Sequence, residues 1–404
     1  MAESSAIPNR PGRLLVLHVI ALAACVSPDP SAEPAGGSVA SVHVIRDSLP
    51  SCGGCSIEMT RLVSLGSEAD SVLLTRTPVL ARDSRGRTIA SVRDRGFEPV
   101  LIYRPDGTLE RTLGGQGQGP GEHTRVEAIV VTEGDSIVLA HSFLRFSVFA
   151  PDGRYVRGGS LPTPPYEMIP IPDGGFIISG TMATAQTFGL PLHRVSADGA
   201  LVRSFGTENI FPPEGPPFRA LAPRLVGTTF WLSERKQYRL ERVDTLGRVT
   251  RVIAVVTPWW FVFSTPAEFQ AYEDSTRPPD PSRPFADPRP PRLRWRPPFG
   301  IASIVPDSAG RLWVAHHTHV SDWDKLDAEY ERGTSEVRLA DDMKGRMFRT
   351  VLDVIDPERG ALLARRIVPG YGWIANDGTF IHMQYRENGI VAIDVSRLRL
   401  QGLP

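Results

Sequence analysis

Hydrophobic residues in this chain come in short bursts that alternate with polar positions or run on for four to six residues, each burst fenced by glycine and a polar neighbour. That rhythm has the period of strands and tight turns, not of helical stripes. Two kinds of step recur. In the first, a polar-Gly turn enters a hydrophobic strand: SRGRTIASV (84–92), EGDSIVLAH (133–141), DGGFIISG (173–180), VGTTFWLSE (226–234), SAGRLWVAH (308–316) and NDGTFIHMQ (376–384), six in all. In the second, a strand turns at glycine into another strand: VLIYRPDGTLERTLG (100–114), FSVFAPDGRYVRGGS (146–160), LHRVSADGALVRSFG (192–206), LERVDTLGRVTRVIA (240–254) and LDVIDPERGALLARR (352–366), five in all. The early turn glycines Gly107, Gly153, Gly199 and Gly247 stand 46, 46 and 48 residues apart. Glycine there supplies the positive φ of a hairpin turn.

A period of about 40–50 residues with four short strands per repeat predicts a six-bladed β-propeller: an all-β fold with four-stranded antiparallel blades. The mismatch of six steps against five is informative. The last repeat runs through 379–384 and 389–396 and then lacks its outermost strand, while 57–66 (IEMTRLVSLG) is strand-like and unassigned. That N-terminal strand is expected to complete the sixth blade and close the ring, which removes exposed sheet edges. The propeller is therefore assigned to 57–404.

The segment GTLERTLGGQGQGPGEH (107–123), lying between two blade repeats, resembles the six-bladed propeller proteins related to the NHL and TolB groups, many of them bacterial lipoproteins. The DxxGR-strand pattern at 83–92 and 307–316 fits the same group. The resemblance implies an extracytoplasmic binding propeller. The strand ends that often carry Asp in that family read His141, Glu234, His316 and Gln384 here, so the family's ligand site does not carry over.

The N-terminus reads as an export signal. Arg10 and Arg13 precede an apolar run over 14–24. Eleven helical residues rise about 16 Å, too short for a bilayer core of roughly 30 Å, so this is a signal-peptide core and not a membrane span. The run ends in Leu22-Ala23-Ala24-Cys25, which looks like a lipobox, with Cys25 as the lipid attachment site. Residues 1–25 are thus a lipoprotein signal, and 26–56, rich in Pro, Ser, Ala and Gly at its start, is expected to be a flexible tether. Cys52 and Cys55 flank two glycines at its end. Outside the cytoplasm such a pair is expected to form a structural disulfide. A redox dithiol and half a zinc site are the alternatives, and Ser56 in place of His excludes c-type haem.

Two insertions break the period. Residues 257–298 carry WWFVF, a short helix over 265–275 and a Pro/Arg-rich run; the bland reading is a surface loop with polyproline character. The functional reading is a partner-docking arm, because Trp259, Trp260, Arg292, Arg294, Trp295 and Arg296 are interface-enriched types. Residues 318–349 interrupt the fifth blade with a second helical stretch, SDWDKLDAEYERG. Composition adds exclusions. Lys+Arg and Asp+Glu balance at 45 each, so nothing in the charge points to nucleic acid or an acidic membrane. Only Lys236, Lys325 and Lys344 are lysines, an arginine bias attributed to genome composition.

Candidate chemistry is sparse. The Gly-rich 114–121 stretch is an inter-blade connection and not a phosphate loop, since no Lys-Ser/Thr follows. No GxSxG and no HExxH occurs. In His316-His317-Thr318-His319 alternate residues share a face, so His317 and His319 could meet a metal while His316 points away. With His141, Glu234 and Gln384 at equivalent strand ends, a divalent metal or polar ligand at the channel mouth is a candidate; no cofactor is assigned. His382 is expected to pack, and His43 and His123 to sit in loops without partners. The favoured function is a lipid-anchored, non-enzymatic scaffold, monomeric, binding an envelope protein, peptide or glycan. The alternatives are a metal-dependent lactonase-like hydrolase and a redox or metal-handling envelope protein. Only Asn209, Asn376 and Asn388 lie beyond Asn9, which makes a lactonase ligand set hard to build.

Overall fold

A computed structural model describes residues 40–46, 49–66, 74, 78–91, 97–141, 144–182, 187–206, 209–210, 219–234, 238–256, 300–319, 346, 348–385 and 391–403. They belong to one compact unit, Val39–Pro404. Cys25, the expected helix over 265–275, the helical stretch after His319 and the six Trp and Arg residues of the proposed arm lie outside the described residues.

The fold is a six-bladed β-propeller. Blade 1 is Val79–Arg82, Thr88–Ser91, Val100–Tyr103 and Leu109–Leu113; blade 2 is Val126–Val131, Ile137–His141, Arg145–Phe149 and Tyr155–Ser160. Blade 3 is Glu167–Pro170, Phe176–Ser179, Leu192–Val195 and Leu201–Phe205; blade 4 is Arg219–Leu221, Thr229–Glu234, Arg239–Asp244 and Val249–Val255. Blade 5 is Ile301–Pro306, Leu312–His319, Phe348–Asp356 and Ala361–Pro369. Blade 6 takes Gly372–Ile374, Phe380–Tyr385 and Val391–Gln401 from the C-terminus and Ser56–Leu65 from the N-terminus. The N-terminal strand pairs antiparallel with Val391–Gln401 from Ser56↔Gln401 to Leu65↔Ile393, which is the ring closure that the missing strand demanded.

Burial explains the two hydrophobic rhythms. Second strands such as Ile137–His141 and Phe176–Ser179 are buried at every position, because each blade is packed on both faces by its neighbours. Outer strands such as Tyr155–Ser160 alternate between half-buried and exposed. The core is accordingly divided among the blade interfaces. One cluster joins Ile89, Ile102 and Leu113 to Ile137 and Phe149 across blades 1 and 2. Equivalent clusters fill each following interface, and the last joins Met383 and Ile393 of blade 6 to Leu101 and Tyr103 of blade 1.

The period glycines have φ between 83° and 92°. At Gly199 a Cβ would also fall 2.0 Å from the Ser160 carbonyl oxygen, so only glycine fits that turn. The DxxGR pattern is a turn clasp. In each of Asp83, Asp244 and Asp307, Oδ1 accepts the backbone N–H groups two and four residues on, and Oδ2 accepts Nε of Arg87, Arg248 or Arg311 at 2.6–2.7 Å.

Arginines also tie blade to blade. Arg111, Arg157 and Arg251, each four residues after a period glycine, donate to the carbonyls of Asp152, Ala197 and Pro357 in the following blade. Arg87 and Arg224 reach Pro151 and Pro306 in the same manner. The arginine bias therefore has a structural component that the attribution to genome composition missed. Lysine, with one ammonium in place of a planar fork, does not replace it there.

The expected 26–56 tether is corrected at its C-terminal end. Ser41–Ile45 pairs in parallel with the last strand of blade 4 as a fifth, outermost strand. His43, expected in a loop, lies in that strand, near Gly360 of blade 5. Ser51 then donates its N–H and hydroxyl to the Leu362 carbonyl at 2.8 and 2.9 Å, and the Cys52–Cys55 disulfide sits against Gly402. The segment thus crosses from blade 4 over blade 5 to blade 6. Inward-facing Ile45, which packs in the blade 4–5 core, is the sequence signal that this stretch is not a free linker.

Candidate binding face

Antiparallel pairing sorts the connections into two ends of the ring. Most turns after first and third strands close within four residues, as in Gly86 N–H to Asp83 and Gly153 N–H to Ala150, and the longest connection of this kind is 222–228 in blade 4. Connections after second strands and between blades all emerge at the other end. They include the Gly-rich 114–125, the 161–166 linker, the 257–299 insertion and the insertion inside blade 5. The second insertion is shorter than the expected 318–349: Thr318 and His319 extend one strand and Phe348 and Arg349 begin the next, so it spans 320–347. A short pair, Thr187–Gly189 with Asn209–Ile210, adds backbone structure to the same end.

The innermost strands of all six blades line a central cavity of about 200 Å³. Ile129, Met168, Leu221, Ile304 and Trp373 are among its lining residues, polar groups contribute more of its surface than apolar ones, and Glu167 is the one ionisable group among the lining residues. Glu167 Oε2 accepts the Leu221 N–H at 2.5 Å, tying blade 3 to blade 4. Ser303 Oγ accepts the Ile374 N–H at 2.8 Å, and the Asn376 amide exchanges two hydrogen bonds with the Arg82 backbone. The polar groups of the channel are therefore spent on joining blades.

Each expected mouth residue has its own surroundings. His316 is fully buried, with Nε2 3.4 Å from Asp353 Oδ2 and its ring 5.1 Å from that of Tyr238. It belongs to the blade 4–5 interface, not to an open rim. His317 faces the other way, donates from Nε2 to the Gly372 carbonyl at 2.8 Å and stacks on Tyr371 with centroids 4.1 Å apart. His319 pairs by its backbone with Phe348, and Glu234 with Arg219. His141 is buried in blade 2 with Nε2 3.1 Å from Ser147 Oγ. Gln384 is exposed and donates to His382 Nδ1 at 2.8 Å, while His382 Nε2 donates to the Pro369 carbonyl. Among the described residues no group of three or more His, Cys, Asp or Glu is placed to hold a metal.

Two polar clusters were not anticipated. In the first, Asp353 is fully buried and takes Arg365 Nε on Oδ1 at 2.6 Å, with Arg365 Nη2 and the Tyr238 hydroxyl on Oδ2 at 2.7 and 2.6 Å. Burial pushes the carboxyl up, but the hydrogen bonds from Arg365 and His316 outweigh it and hold it at about 2. Burial, then the Asp353 charge, raises the Tyr238 phenol well above its usual range. Burial lowers His316 against the pull of Asp353. The signal was present in sequence: an Asp inside the apolar run LDVI, on an expected strand, requires a partner once that strand is buried. In the second cluster His123, expected to lack partners, is buried, with Nε2 3.1 Å from the Glu98 carbonyl and its ring 6.3 Å from that of His141.

No family model matches the sequence, and no curated protein matches it. The fold is similar to that of a DUF4221 family member from Bacteroides vulgatus, with TM-score 0.53 and 10% identity over 85% of this chain and 99% of that one. It is also similar to a Bacteroides fragilis protein named as exported, with TM-score 0.51 and 10% identity over 89% of this chain and 99% of that one. At such identity the likeness is one of fold.

Proposed function

We propose that the protein is exported, held to the cell envelope by a lipid on Cys25, and acts there as a non-enzymatic scaffold. It binds an envelope protein, peptide or glycan through the face that carries the long connections. One observation carries this reading: the two longest connections, 257–299 and 320–347, both leave from that end of the ring, while none between strands at the opposite end exceeds the seven residues 222–228. Loops on a rigid scaffold are where binding residues concentrate. Leu144 on this face adds support, since it is a non-glycine at φ 58° and its side chain is exposed. A strained, solvent-facing apolar residue of this kind belongs more often to a contact surface than to a core. Export is supported by the signal-like N-terminus and by the fold shared with a protein named as exported.

Two experiments test the two halves. Metabolic labelling with an alkynyl fatty acid should mark the wild-type chain in the membrane fraction and not Cys25→Ser; equal labelling refutes the anchor. Photo-crosslinking residues placed at Leu144 and Tyr166, and on the opposite end at Leu246 and Asp152, read the face. Products confined to the first pair support the reading, and products of equal yield at both ends refute it.

A further inference from the structure

The Gly-rich 114–123 connection is more than a spacer. It pairs with itself in parallel, Gly115↔Glu122 and Gln116↔His123, and Glu122 Oε2 accepts the Gly119 N–H at 2.7 Å. It is fastened at its end by His123, 1% exposed, whose Nε2 meets the Glu98 carbonyl and whose Nδ1 has no hydrogen-bond partner. Gly114 lies directly against that ring, since a Cβ there would stand 3.0 Å from His123 Nδ1. The His141 ring is 6.3 Å away, and Phe97 closes the other side at 5.4 Å.

The charged groups around this pair are few. The Glu98 carboxylate is occupied by the Val126 N–H at 3.0 Å, and Arg145 is directed outward to the Gln118 carbonyl at 2.5 Å. Arg125 and Glu127 pair with each other at the surface. Among the described residues, therefore, no carboxylate faces the two imidazoles to welcome a proton. Protonation would give His123 a buried N–H without an acceptor and place two like charges side by side.

We propose that this connection is an acid-released clasp: proton uptake by His123 and His141 opens the 114–123 connection while the six blades stay folded. It stands whether or not the scaffold reading does. Burial first, then the charges of His123 and Arg145, lower His141 to about 4, and burial lowers His123 against the pull of the Glu98 carbonyl. Groups held below their ordinary value bind protons better once released. Closure is thus fully stable above about pH 6.5 and weakens as pH falls toward 4. From His141 alone, were opening to restore its ordinary value, the opening equilibrium would rise by at most about 20-fold between pH 7 and pH 5.

Hydrogen exchange of the full chain at these two pH values, corrected for intrinsic rates, reads this directly. The peptide covering 114–126 should lose up to about 20-fold in protection, while one covering 240–254 in blade 4, which contains no histidine, loses less than threefold. His123→Gln/His141→Gln should abolish the loss. His141→Phe, which keeps a ring and takes no proton, serves as a second variant should the first fail to fold, and should cut the loss at least fivefold. Protection of 114–126 that is the same at both pH values, an equal loss in every blade, or an undiminished loss in His141→Phe each overturns the proposal.

Discussion

Replacing Asp353 by Asn is the most direct challenge to the account of the blade 4–5 interface. The side chain is fully buried and receives four donors, two from Arg365 and one each from Tyr238 and His316. Asn keeps the shape but removes the charge, so Arg365, only 12% exposed in its side chain, loses its counter-ion. Breaking a buried pair by removing one partner costs about 3–5 kcal/mol, more than the loss of any one hydrogen bond. Tyr238→Phe removes a single donor and should cost about 1–2 kcal/mol. In the double variant the Tyr hydroxyl no longer needs an acceptor, so the two losses should fall short of additivity by about 1 kcal/mol or more. Urea unfolding followed by near-ultraviolet dichroism and by tryptophan fluorescence, with coincident transitions, measures all three. Acid gives a second arm. The Asp353 carboxyl lies at about 2 against an ordinary 3.8, so its contribution is present above pH 4 and is lost as pH falls through 2, roughly 2 kcal/mol in all. A loss below about 1 kcal/mol in Asp353→Asn would show that the network does not hold these blades together.

Three further outcomes are expected. Arg157 donates to two carbonyls of blade 3, Ala197 and Gly174, and lies over Phe146; Arg157→Ala should cost about 1–3 kcal/mol in urea unfolding, with Lys restoring less than half. Gly199→Ala should cost more than about 2 kcal/mol, whereas Gly310→Ala, at φ 77° with open space around it, should cost about 1 kcal/mol. Equal losses would mean that contact with Ser160 does not matter. Removing residues 1–65 leaves Val391–Gln401 an open edge and should yield aggregated protein by light scattering. Removing 1–50 deletes, of the described strands, only the fifth strand of blade 4 and should leave a cooperatively unfolding monomer.

The fold was legible because its determinants repeat. Each turn glycine and each run such as IVLA or FIIS reports a local requirement, and the same requirement returns with every blade, at 46, 46 and 48 residues for the early turn glycines. Even the long-range closure by Ser56–Leu65 followed from counting, since a ring leaves a definite vacancy. Ser41–Ile45 was missed for the opposite reason. A fifth strand has no counterpart in the other blades, so periodicity is silent about it, and a Pro/Ser/Gly-rich beginning concealed its alternating SVHVI.

The candidate site was less legible, and the reason lies in how this ring is built. Equivalent strand ends suggested that His141, Glu234, His316 and Gln384 share one environment. Equivalence in sequence fixes only the height of a residue along its blade. Which way it faces depends on the adjoining blade, and neighbours differ: His316 meets Tyr238 and Asp353, its neighbour in sequence His317 meets Tyr371, and His141 meets His123. In a propeller each polar side chain near the axis is drawn first to the nearest unpaired group across a blade interface, because leaving that group buried and unpaired costs more than one exposed contact returns. Glu167, Ser303 and Asn376 follow this rule at the channel itself. On the proposed reading, binding determinants are then left to the connections. Crosslinking at Leu144 and Tyr166 therefore tests more than one face of one protein: a partner held chiefly by strand-borne channel residues would contradict this division of labour.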